Sequence, residues 1–336
     1  MGRRWKGRWM QPSEKLDTLV QTAYLYYHEG LTQAEIAQAL KISRPTVANL
    51  LQRARTEGLV TITLRPDFLS SLTLARELKS HFSLTDVLIA PTVPGADSAA
   101  VNRSLGSLGA LYLEKVLTPG DVIATAWGAT MLEVAHALSG RKVENVTVAQ
   151  SLGGLSTADS FNPGRVATLM GDKLGARAYH LYVPAVVESR EVRDILLRDR
   201  SIYSAFEVAR SAHRAILGIG KVAHDATVVR AGFLSPVQMD ELRLKGAVGD
   251  MSGRFFDVQG KPVVTELDGR IIALSLQDLK TMSPVIAVAG GEDKVEAILG
   301  ALRGRYLDVL IVDEGTAKQV LRRSYEDAEK SPAVSR

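Results

Sequence analysis

The sequence predicts an α/β protein in two parts: a small N-terminal winged helix-turn-helix, then a larger Rossmann-like domain with a parallel sheet. Two helix-start signals close together, at Thr32 and Ser43, predict the first part. Runs of Val, Ile, Leu and Ala that alternate with helical patterns predict the second part. Because these runs lack polar alternation, they are typical of strands buried on both faces of a sheet.

The chain has 336 residues, which is enough for two domains of ordinary size. Changes in composition and periodicity predict five segments. They are a basic flexible tail at 1–12, the winged helix-turn-helix at 13–65, a connecting helix at 66–85, the α/β domain at 86–322 and a loose C-terminal tail at 323–336.

Composition excludes several classes of protein. Apolar residues make up 46% of the chain and charged residues 23%, as in soluble globular proteins. The absence of cysteine excludes disulfides, thiolate zinc sites and cysteine nucleophiles, and the six histidines show no metal-binding spacing. No apolar run reaches the roughly 20 residues of a membrane span, and no signal peptide is recognisable. We therefore expect a cytoplasmic protein without a membrane segment, a metal or a cofactor.

Positive charge is concentrated at one end of the chain. Residues 1–65 hold ten Lys/Arg and five Asp/Glu, a net charge of +5. The remaining residues hold 31 basic and 32 acidic side chains, a net charge of −1. This asymmetry indicates a polyanionic partner for the N-terminal part alone.

The N-terminal part reads as three short helices. Apolar residues at helical spacing form the first helix, which ends near Gly30. Thr32 and Glu35 have the spacing of a capping box that starts the second helix. Ser43 is a natural N-cap for the third helix, and Pro45 is tolerated in the first turn of that helix. The third helix stops at a glycine, and the following VTITL alternates as the strand of a wing.

The third helix has a polar outer face that suits the major groove of double-stranded DNA. Arginine can form two hydrogen bonds with guanine, and asparagine can do so with adenine. Hydroxyl or amide groups at helix starts can bind phosphates. The predicted DNA-contacting residues are Gln33, Ser43, Arg44, Pro45, Thr46, Asn49 and Arg53. One alternative is a three-helix interaction module with a charged, solvated face. Another is an architectural DNA binder with little sequence preference.

Glycine-containing loops follow several of the predicted buried strands. Ligands of Rossmann-like folds bind beyond the carboxyl ends of the strands, where glycine lets backbone amides approach an anion. After VIATA, the loop Gly128-Ala129-Thr130 opens a helix, so its amides and the Thr130 hydroxyl are predicted phosphate donors. Lys294 lies in the first turn of the helix after another such loop, within reach of a phosphate at that helix start.

Other glycine loops have a plainer interpretation. Gly218 and Gly220 are read as residues of a tight strand-to-helix turn rather than as ligand contacts. No loop matches a Walker A or dinucleotide-binding motif, so nucleotide binding has little support.

Long blocks of the chain resemble a known family. The blocks are GLTQAEIAQALKISRPTVANLLQRARTEGLVTITL, GAVGDMSGRFFDVQGKPV and VIAVAGGEDKVEAILGALRGRYLDVLIVDEGTA. They are similar to the SorC family of sugar-responsive bacterial transcriptional regulators, and the resemblance covers nearly the whole chain. Ala48-Asn49 stands where the family usually has Ser-Arg, which implies an altered base contact.

The resemblance implies an effector domain related to sugar-phosphate isomerases, in proteins that are commonly tetrameric. We therefore expect a homo-oligomer, either a dimer or a homotetramer. It implies that Gly153 and Gly154 line the effector pocket, and that Asn162 and Asp250 bind sugar hydroxyls. Leu152 leaves no fixed cation beside the glycine pair, so we expect a monophosphate or free polyol rather than a bisphosphate.

Two functions from different classes remain. One is a transcriptional regulator of a carbohydrate or polyol operon, controlled by a phosphorylated sugar or polyol. The other is a sugar-phosphate isomerase-like enzyme that carries a DNA-binding domain. Enzymatic proton transfer needs a placed acid/base pair, and no such pair is identifiable from spacing. We therefore expect a regulator rather than an enzyme, with the connecting helix transmitting the effector signal.

Overall fold

The computed structural model describes residues 12–60, 66–91, 95, 97–155, 162–230 and 232–330. The chain divides into two compact units, residues 1–69 and 70–336. The strand predicted for the wing, residues 60–64, lies almost entirely outside the described residues. None of the helices in the described ranges has the length and apolar character that crossing a bilayer requires.

The first unit contains the three predicted helices, α1 (Pro12–Tyr27), α2 (Gln33–Ala39) and α3 (Arg44–Thr56). Two small apolar clusters hold them together. The clusters are built from Leu19, Ala23 and Ala54, and from Ile36, Val47 and Leu51, with partly buried neighbours around each. The predicted helix-turn-helix is confirmed, and Gly30 adopts the positive φ of +72° that ends a helix.

The second unit alternates helices and strands, beginning with α4, whose N-terminal residues belong to the first unit. Its elements are α4 (Pro66–Phe82), β1 (Asp86–Ala90), α5 (Ser98–Val116), β2 (Val122–Thr125), α6 (Ala129–Ala137), β3 (Thr147–Gln150), α7 (Pro163–Leu174), β4 (Arg177–Tyr179), α8 (Arg190–Arg198), α9 (Arg200–Arg210), β5 (Arg214–Gly218), β6 (Gly220–Lys221), α10 (Thr227–Arg230), α11 (Pro236–Leu244), β7 (Ala247–Met251), β8 (Arg254–Asp257), α12 (Leu276–Leu279), β9 (Val285–Val288), α13 (Val295–Arg303), β10 (Val309–Asp313) and α14 (Glu314–Lys330). Short 3₁₀ turns lie at Glu266–Gly269 and Glu292–Lys294.

The main sheet has the strand order β1-β10-β9-β5-β2-β3-β4, and its neighbouring strands pair in parallel. Successive residues of one strand, such as Leu310 and Ile311, belong to two different apolar clusters. The sheet is therefore buried on both faces, which explains why its strands lack polar alternation. The predicted Rossmann-like architecture is confirmed.

The sheet order reverses between β2 and β5. The chain runs outward from β2 through β3 to β4, and then returns to add β5, β9 and β10 on the other side of β2. In parallel sheets of this kind, such a reversal opens a crevice at the carboxyl ends of the two strands. A smaller antiparallel sheet, β6-β7-β8, supplies residues to the same region.

The C-terminal segment differs from its prediction. Residues 323–330 were predicted to be loose, but they continue α14 as far as Lys330. The buried residues Ala317, Val320 and Leu321 form one helical stripe, and the next position on that stripe is Ser324, which is also buried. Because this last inward position is polar, the apolar periodicity ends before the helix does. At the other end, α1 begins at Pro12, inside the predicted tail.

Candidate functional site

The helix starts of the first unit are capped as predicted. The Glu35 carboxylate accepts the backbone N–H of Thr32 at 2.8 Å, and the Thr32 hydroxyl accepts the N–H of Glu35 at 3.3 Å. The Ser43 hydroxyl accepts the N–H of Thr46 at 3.2 Å and lies 2.7 Å from the Thr46 hydroxyl. These bonds fix where α2 and α3 begin, and thereby fix the turn between them.

The outer face of α3 carries the predicted DNA-contacting residues. Arg44, Pro45, Thr46, Asn49 and Arg53 are exposed, whereas Gln33 on α2 is half-buried. Gln33 and Arg44 line one shallow depression between the starts of α2 and α3. Gln52, which was not predicted, is exposed on α3 between Asn49 and Arg53 and extends this polar face.

The two arginines of that face differ in how they are held. The Arg53 guanidinium is paired with the Glu57 carboxylate, at 2.9 Å from Nε and 2.8 Å from Nη2. Arg44 has no ion pair or side-chain hydrogen bond to another described residue. Arg44 is therefore the more available of the two for a base or phosphate.

A cavity of about 280 Å³ in the second unit lies at the sheet reversal, beyond the carboxyl ends of β2, β5 and β9. The loop after each of these strands contributes to its wall. The cavity-lining residues include Trp127, Gly128, Ala129, Thr130, Gly218, Ile219, Gly220, Asp250, Ser252, Gly290, Gly291 and Lys294.

Part of the cavity wall is suited to an anion. Helix α6 starts there behind Gly128, whose φ is +127° and which has no side chain to cap the first amides. Uncapped amides at a helix N-terminus attract negative charge. The predicted donor Thr130 is only partly available, because its hydroxyl already donates to Asn102 Oδ1 at 2.8 Å. Asn102, from α5, is a cavity residue that the sequence analysis missed.

Lys294 is a cation of the cavity wall without an ion pair to a described residue, and the more exposed Arg230 is another. Lys294 has no carboxylate within ion-pair distance among the described residues, and desolvation by burial lowers the pKa of its ammonium group despite the nearby charges of Asp293 and Asp250. Lys221 at the same cavity is different, since Asp225 and Asp293 each hold its ammonium group at 2.6 Å. An anion that enters the cavity would therefore meet Lys294 as a free counter-charge.

The cavity wall also contains a buried acceptor without a partner. Asp250 is 2% exposed. Its Oδ2 accepts the N–H of Gly253 at 2.9 Å, and its Oδ1 has no hydrogen-bond partner among the described residues. Burial raises the pKa of Asp250 to about 6. Such an oxygen is costly to leave unsatisfied, and a hydroxyl donor from a ligand would satisfy it.

The side chain of Asp250 also explains why residue 220 is a glycine. A Cβ atom at residue 220 would lie 2.0 Å from Asp250 Oδ1, so only glycine leaves room for that carboxylate. Gly218 and Gly220 were interpreted as turn residues, but the structure places both on the cavity wall. That interpretation missed the contact because Asp250 lies far from Gly220 along the chain and comes beside it through the pairing of β6 with β7.

Asp250→Asn is predicted to remove a pH dependence of stability. Because the folded-state pKa of about 6 lies above the ordinary value of 3.8, the folded protein binds this proton more tightly than the unfolded chain. The protonated Asp250 carboxyl therefore adds to the free energy of unfolding. This added stability is complete below the ordinary pKa of 3.8 and is lost as pH rises through about 6. Its size is about 3 kcal/mol, at about 1.4 kcal/mol per pKa unit.

Asparagine is uncharged at every pH, so the variant should match the wild type near pH 4 and exceed its unfolding free energy near pH 8. Denaturant titrations at both pH values measure the difference. If the unfolding free energies of the variant and the wild type differ by the same amount at both pH values, Asp250 is not the titrating group.

Three predicted effector residues do not line this cavity. The N–H groups of Gly153 and Gly154 donate to the backbone carbonyls of Ile272 and Val183, at 2.9 and 2.8 Å. Asn162 caps α7, where its side chain accepts from Gly164 N–H and donates to the carbonyl of Leu155. Gly154 and Asn162 border a separate, more open depression. The structure therefore brings Gly128, Ala129, Thr130, Asp250 and Lys294 together, but not these three.

Gly153→Ala and Gly154→Ala are a matched pair of variants that tests whether residue 153 is a glycine because of close packing. A Cβ at residue 153 would lie 2.6 Å from the carbonyl oxygen of Pro184, whereas a Cβ at 154 would meet its nearest atom at 3.9 Å. Gly153→Ala is expected to lower the unfolding free energy by about 1–3 kcal/mol, as overpacking does, and Gly154→Ala to change it little. Thermal unfolding of both variants measures this. Equal effects would contradict the assignment of Gly153 as a packing residue.

Comparisons with protein families match both parts of the chain. Residues 67–322 match the family described as "Putative sugar-binding domain", and residues 23–67 match the MarR family.

Proteins named as regulators resemble the chain over most of its length. It is 36% identical over 309 residues to the transcriptional regulator YjhU of Escherichia coli (strain K12), covering 91% of this chain and 94% of that protein. It is 34% identical over 311 residues to the deoxyribonucleoside regulator of Bacillus subtilis (strain 168), covering 92% and 98%. The crystal structure of the full-length sorbitol operon regulator SorC from Klebsiella pneumoniae matches with a TM-score of 0.72 at 29% identity, covering 91% and 98%.

The sugar-binding family spans most of this chain, and the similarity to these regulators runs through both units. With its helix-turn-helix and its sugar-binding α/β domain, the chain belongs to the SorC family of transcriptional regulators.

Proposed function

We propose that this protein regulates transcription of a carbohydrate or polyol catabolic operon, and that a small phosphorylated sugar or polyol in the strand-end cavity controls its binding to DNA. A regulator of this kind acts on the chromosome, which places it in the cytoplasm. Two copies would present their helix-turn-helix units to two half-sites of an operator, so the proposal includes a homo-oligomer.

The combination of groups on the cavity wall is the main observation that supports this ligand class. The cavity combines a free cation, Lys294, and the uncapped start of α6 with a buried acceptor that lacks a donor, Asp250 Oδ1. A phosphate group complements the first two features, and a hydroxyl group complements the third. A molecule that carries both groups on a short carbon chain matches the cavity volume of about 280 Å³.

The same arrangement supports binding rather than catalysis. Asp250 and Lys294 are not hydrogen-bonded to one another or to another described acid or base. General acid–base catalysis uses side chains poised for proton transfer to a reacting group. The relatives reported above are regulators of transcription, which agrees with this preference.

A thermal-shift screen tests the proposal. The compounds are tetrose, pentose and hexose monophosphates and their polyol forms, each paired with its unphosphorylated parent and with a bisphosphate. A ligand that binds only the folded protein stabilises it by about 2.7 kcal/mol at a concentration of 100 times its Kd.

We expect at least one monophosphate to raise the Tm well above the effect of its parent. If no compound raises the Tm, the assigned ligand class is wrong. If a compound is converted to product in the same samples, the enzymatic alternative is correct instead.

A further inference from the structure

The cavity wall is hydrogen-bonded to the first turn of the C-terminal helix. The N–H of Gly291 lies 2.9 Å from Asp313 Oδ2 and 2.9 Å from the Thr316 hydroxyl. That hydroxyl in turn donates to Asp313 Oδ2 at 2.7 Å, and the N–H of Thr316 donates to Asp313 Oδ1 at 2.9 Å. Thr316 is fully buried, and Asp313 and Gly291 are partly buried.

The network fixes a loop that carries part of the proposed phosphate site. Gly291 precedes the 3₁₀ turn Glu292–Lys294, and the N–H of Lys294 donates to the carbonyl of Gly291 at 2.9 Å. A Cβ at Gly290 would lie 2.3 Å from Asp313 Oδ2, so the loop approaches the aspartate as closely as glycine allows. A shift of Lys294 toward an anion would therefore change the hydrogen bonds that Gly291 makes with Asp313 and Thr316.

The opposite half of α14 is bonded to α4. His81 Nε2 lies 2.8 Å from the Ser324 hydroxyl, and the Tyr325 hydroxyl donates to Glu77 Oε1 at 3.0 Å. The rings of His81 and Tyr325 meet edge-on, with their centroids 4.8 Å apart. Thr316 and Tyr325 are about 13 Å apart along the helix, at 1.5 Å per residue. Helix α4 also contacts the first turn of α14, where the Ser70 hydroxyl donates to Glu314 Oε1 at 3.4 Å, so the two helices are bonded at both ends of α14.

Helix α4 also contains the boundary between the two units of the chain. The boundary falls between Leu69 and Ser70, inside the helix Pro66–Phe82. A displacement of α4 would thus act on a segment that is covalently continuous with the helix-turn-helix.

We propose that α14 relays the state of the cavity to α4, with Asp313 and Thr316 as the positioning residues at one end and Ser324 and Tyr325 as the contacts at the other. This proposal rests on the function proposed above and adds a physical route to it. It also gives residues 323–330 a role, which a loose tail would not have. Coupling through such a route requires that both ends respond to one change in position of α14.

Hydrogen exchange of the ligand-free, full-length protein tests the route without an effector. Thr316→Val keeps the size of the side chain and removes the hydroxyl that Gly291 and Asp313 share. We expect exchange to accelerate about tenfold at the amides of residues 290–294 and also at residues 77–82 of α4. Thr125→Val is the matched control, because Thr125 is equally buried and its hydroxyl has no partner among the described residues. The control should leave both segments unchanged.

The second comparison adds inorganic phosphate as the probe for the proposed anion site of the cavity, with chloride at the same ionic strength as reference. In the wild type we expect slower exchange at residues 290–294, at the first turn of α14 and at residues 77–82. Tyr325→Phe removes the bond to Glu77, so it should keep the protection at 290–294 and lose about half or more of the protection at 77–82. Tyr203→Phe, at an exposed tyrosine on α9, is its control.

The outcomes separate the relay from the proposed function. If Thr316→Val affects only residues 290–294 and phosphate protects only that loop, the relay is overturned while the phosphate site stands. If phosphate leaves residues 290–294 unchanged in the wild type, the phosphate site fails. The ligand-free comparison then tests the relay by itself. Faster exchange at residues 77–82 in Thr316→Val supports the relay, and faster exchange at residues 290–294 alone overturns it.

Discussion

Lys294→Met is expected to weaken binding of the phosphorylated effector strongly and to stabilise the empty protein. The ammonium group is an unpaired cation of the cavity wall, and methionine has a similar length without the charge. Loss of one partner of a buried charge pair costs about 2–5 kcal/mol of binding free energy. That corresponds to at least a roughly 30-fold loss of affinity, at 1.4 kcal/mol per factor of ten.

The effect on stability has the opposite sign. Burial lowers the pKa of Lys294, so the folded protein holds this proton less tightly than the unfolded chain does. At neutral pH the charged side chain therefore opposes folding, and its removal should raise the Tm of the unliganded protein.

Calorimetry with a monophosphate from the screen and thermal unfolding without it measure the two effects of Lys294→Met. Lys245→Met, at an exposed position after α11, is the control and should change neither. Unchanged effector affinity in Lys294→Met would contradict the assigned phosphate site.

Arg44→Ala is expected to weaken binding to a selected DNA duplex by about 1–3 kcal/mol and to relax sequence preference at one position. Arg44 is exposed at the start of α3 and has no ion pair with a described residue. Arg53→Ala should have a smaller effect, because Glu57 already neutralises that guanidinium. The duplex is obtained by enrichment from a random-sequence library, and affinities are measured at two salt concentrations.

The charge-matched control for Arg44→Ala is Arg200→Ala, at an exposed position on α9 in the other unit. It removes the same charge from the protein without touching the helix-turn-helix. If Arg44→Ala and Arg200→Ala bind the selected duplex equally well, the third helix does not contact DNA as proposed.

Local signals in the sequence predicted local structure well. The capping box at Thr32 and Glu35 and the N-cap at Ser43 act within three residues, and their bonds are present in the structure. The buried strands were recognisable because each must be apolar on both faces. These features depend on near neighbours along the chain or on burial alone.

The composition of the cavity depends on contacts between distant residues, and there the prediction was weaker. Gly153 and Gly220 both follow buried strands, yet only Gly220 lines the cavity. The difference lies in which segment packs against each: the backbone of Pro184 against Gly153, and the side chain of Asp250 against Gly220. Glycine in a loop indicates close approach, but it does not indicate what approaches.

The C-terminal helix shows a third limit of sequence patterns. Ser324 faces inward because His81 offers it a hydrogen bond, so a polar residue continues a buried stripe. A pattern based on apolar spacing ends where such a contact begins. Residues 323–330 were therefore read as a tail although they pack as a helix.

Reciprocal binding measurements test the central claim most directly. The Kd for the selected duplex is measured with and without the monophosphate, and the Kd for the monophosphate is measured with and without the duplex. Thermodynamic linkage requires both constants to change by the same factor, which we expect to be about 5- to 150-fold. If both ligands bind and neither changes the affinity of the other, the cavity does not control the helix-turn-helix and the proposed regulation is wrong.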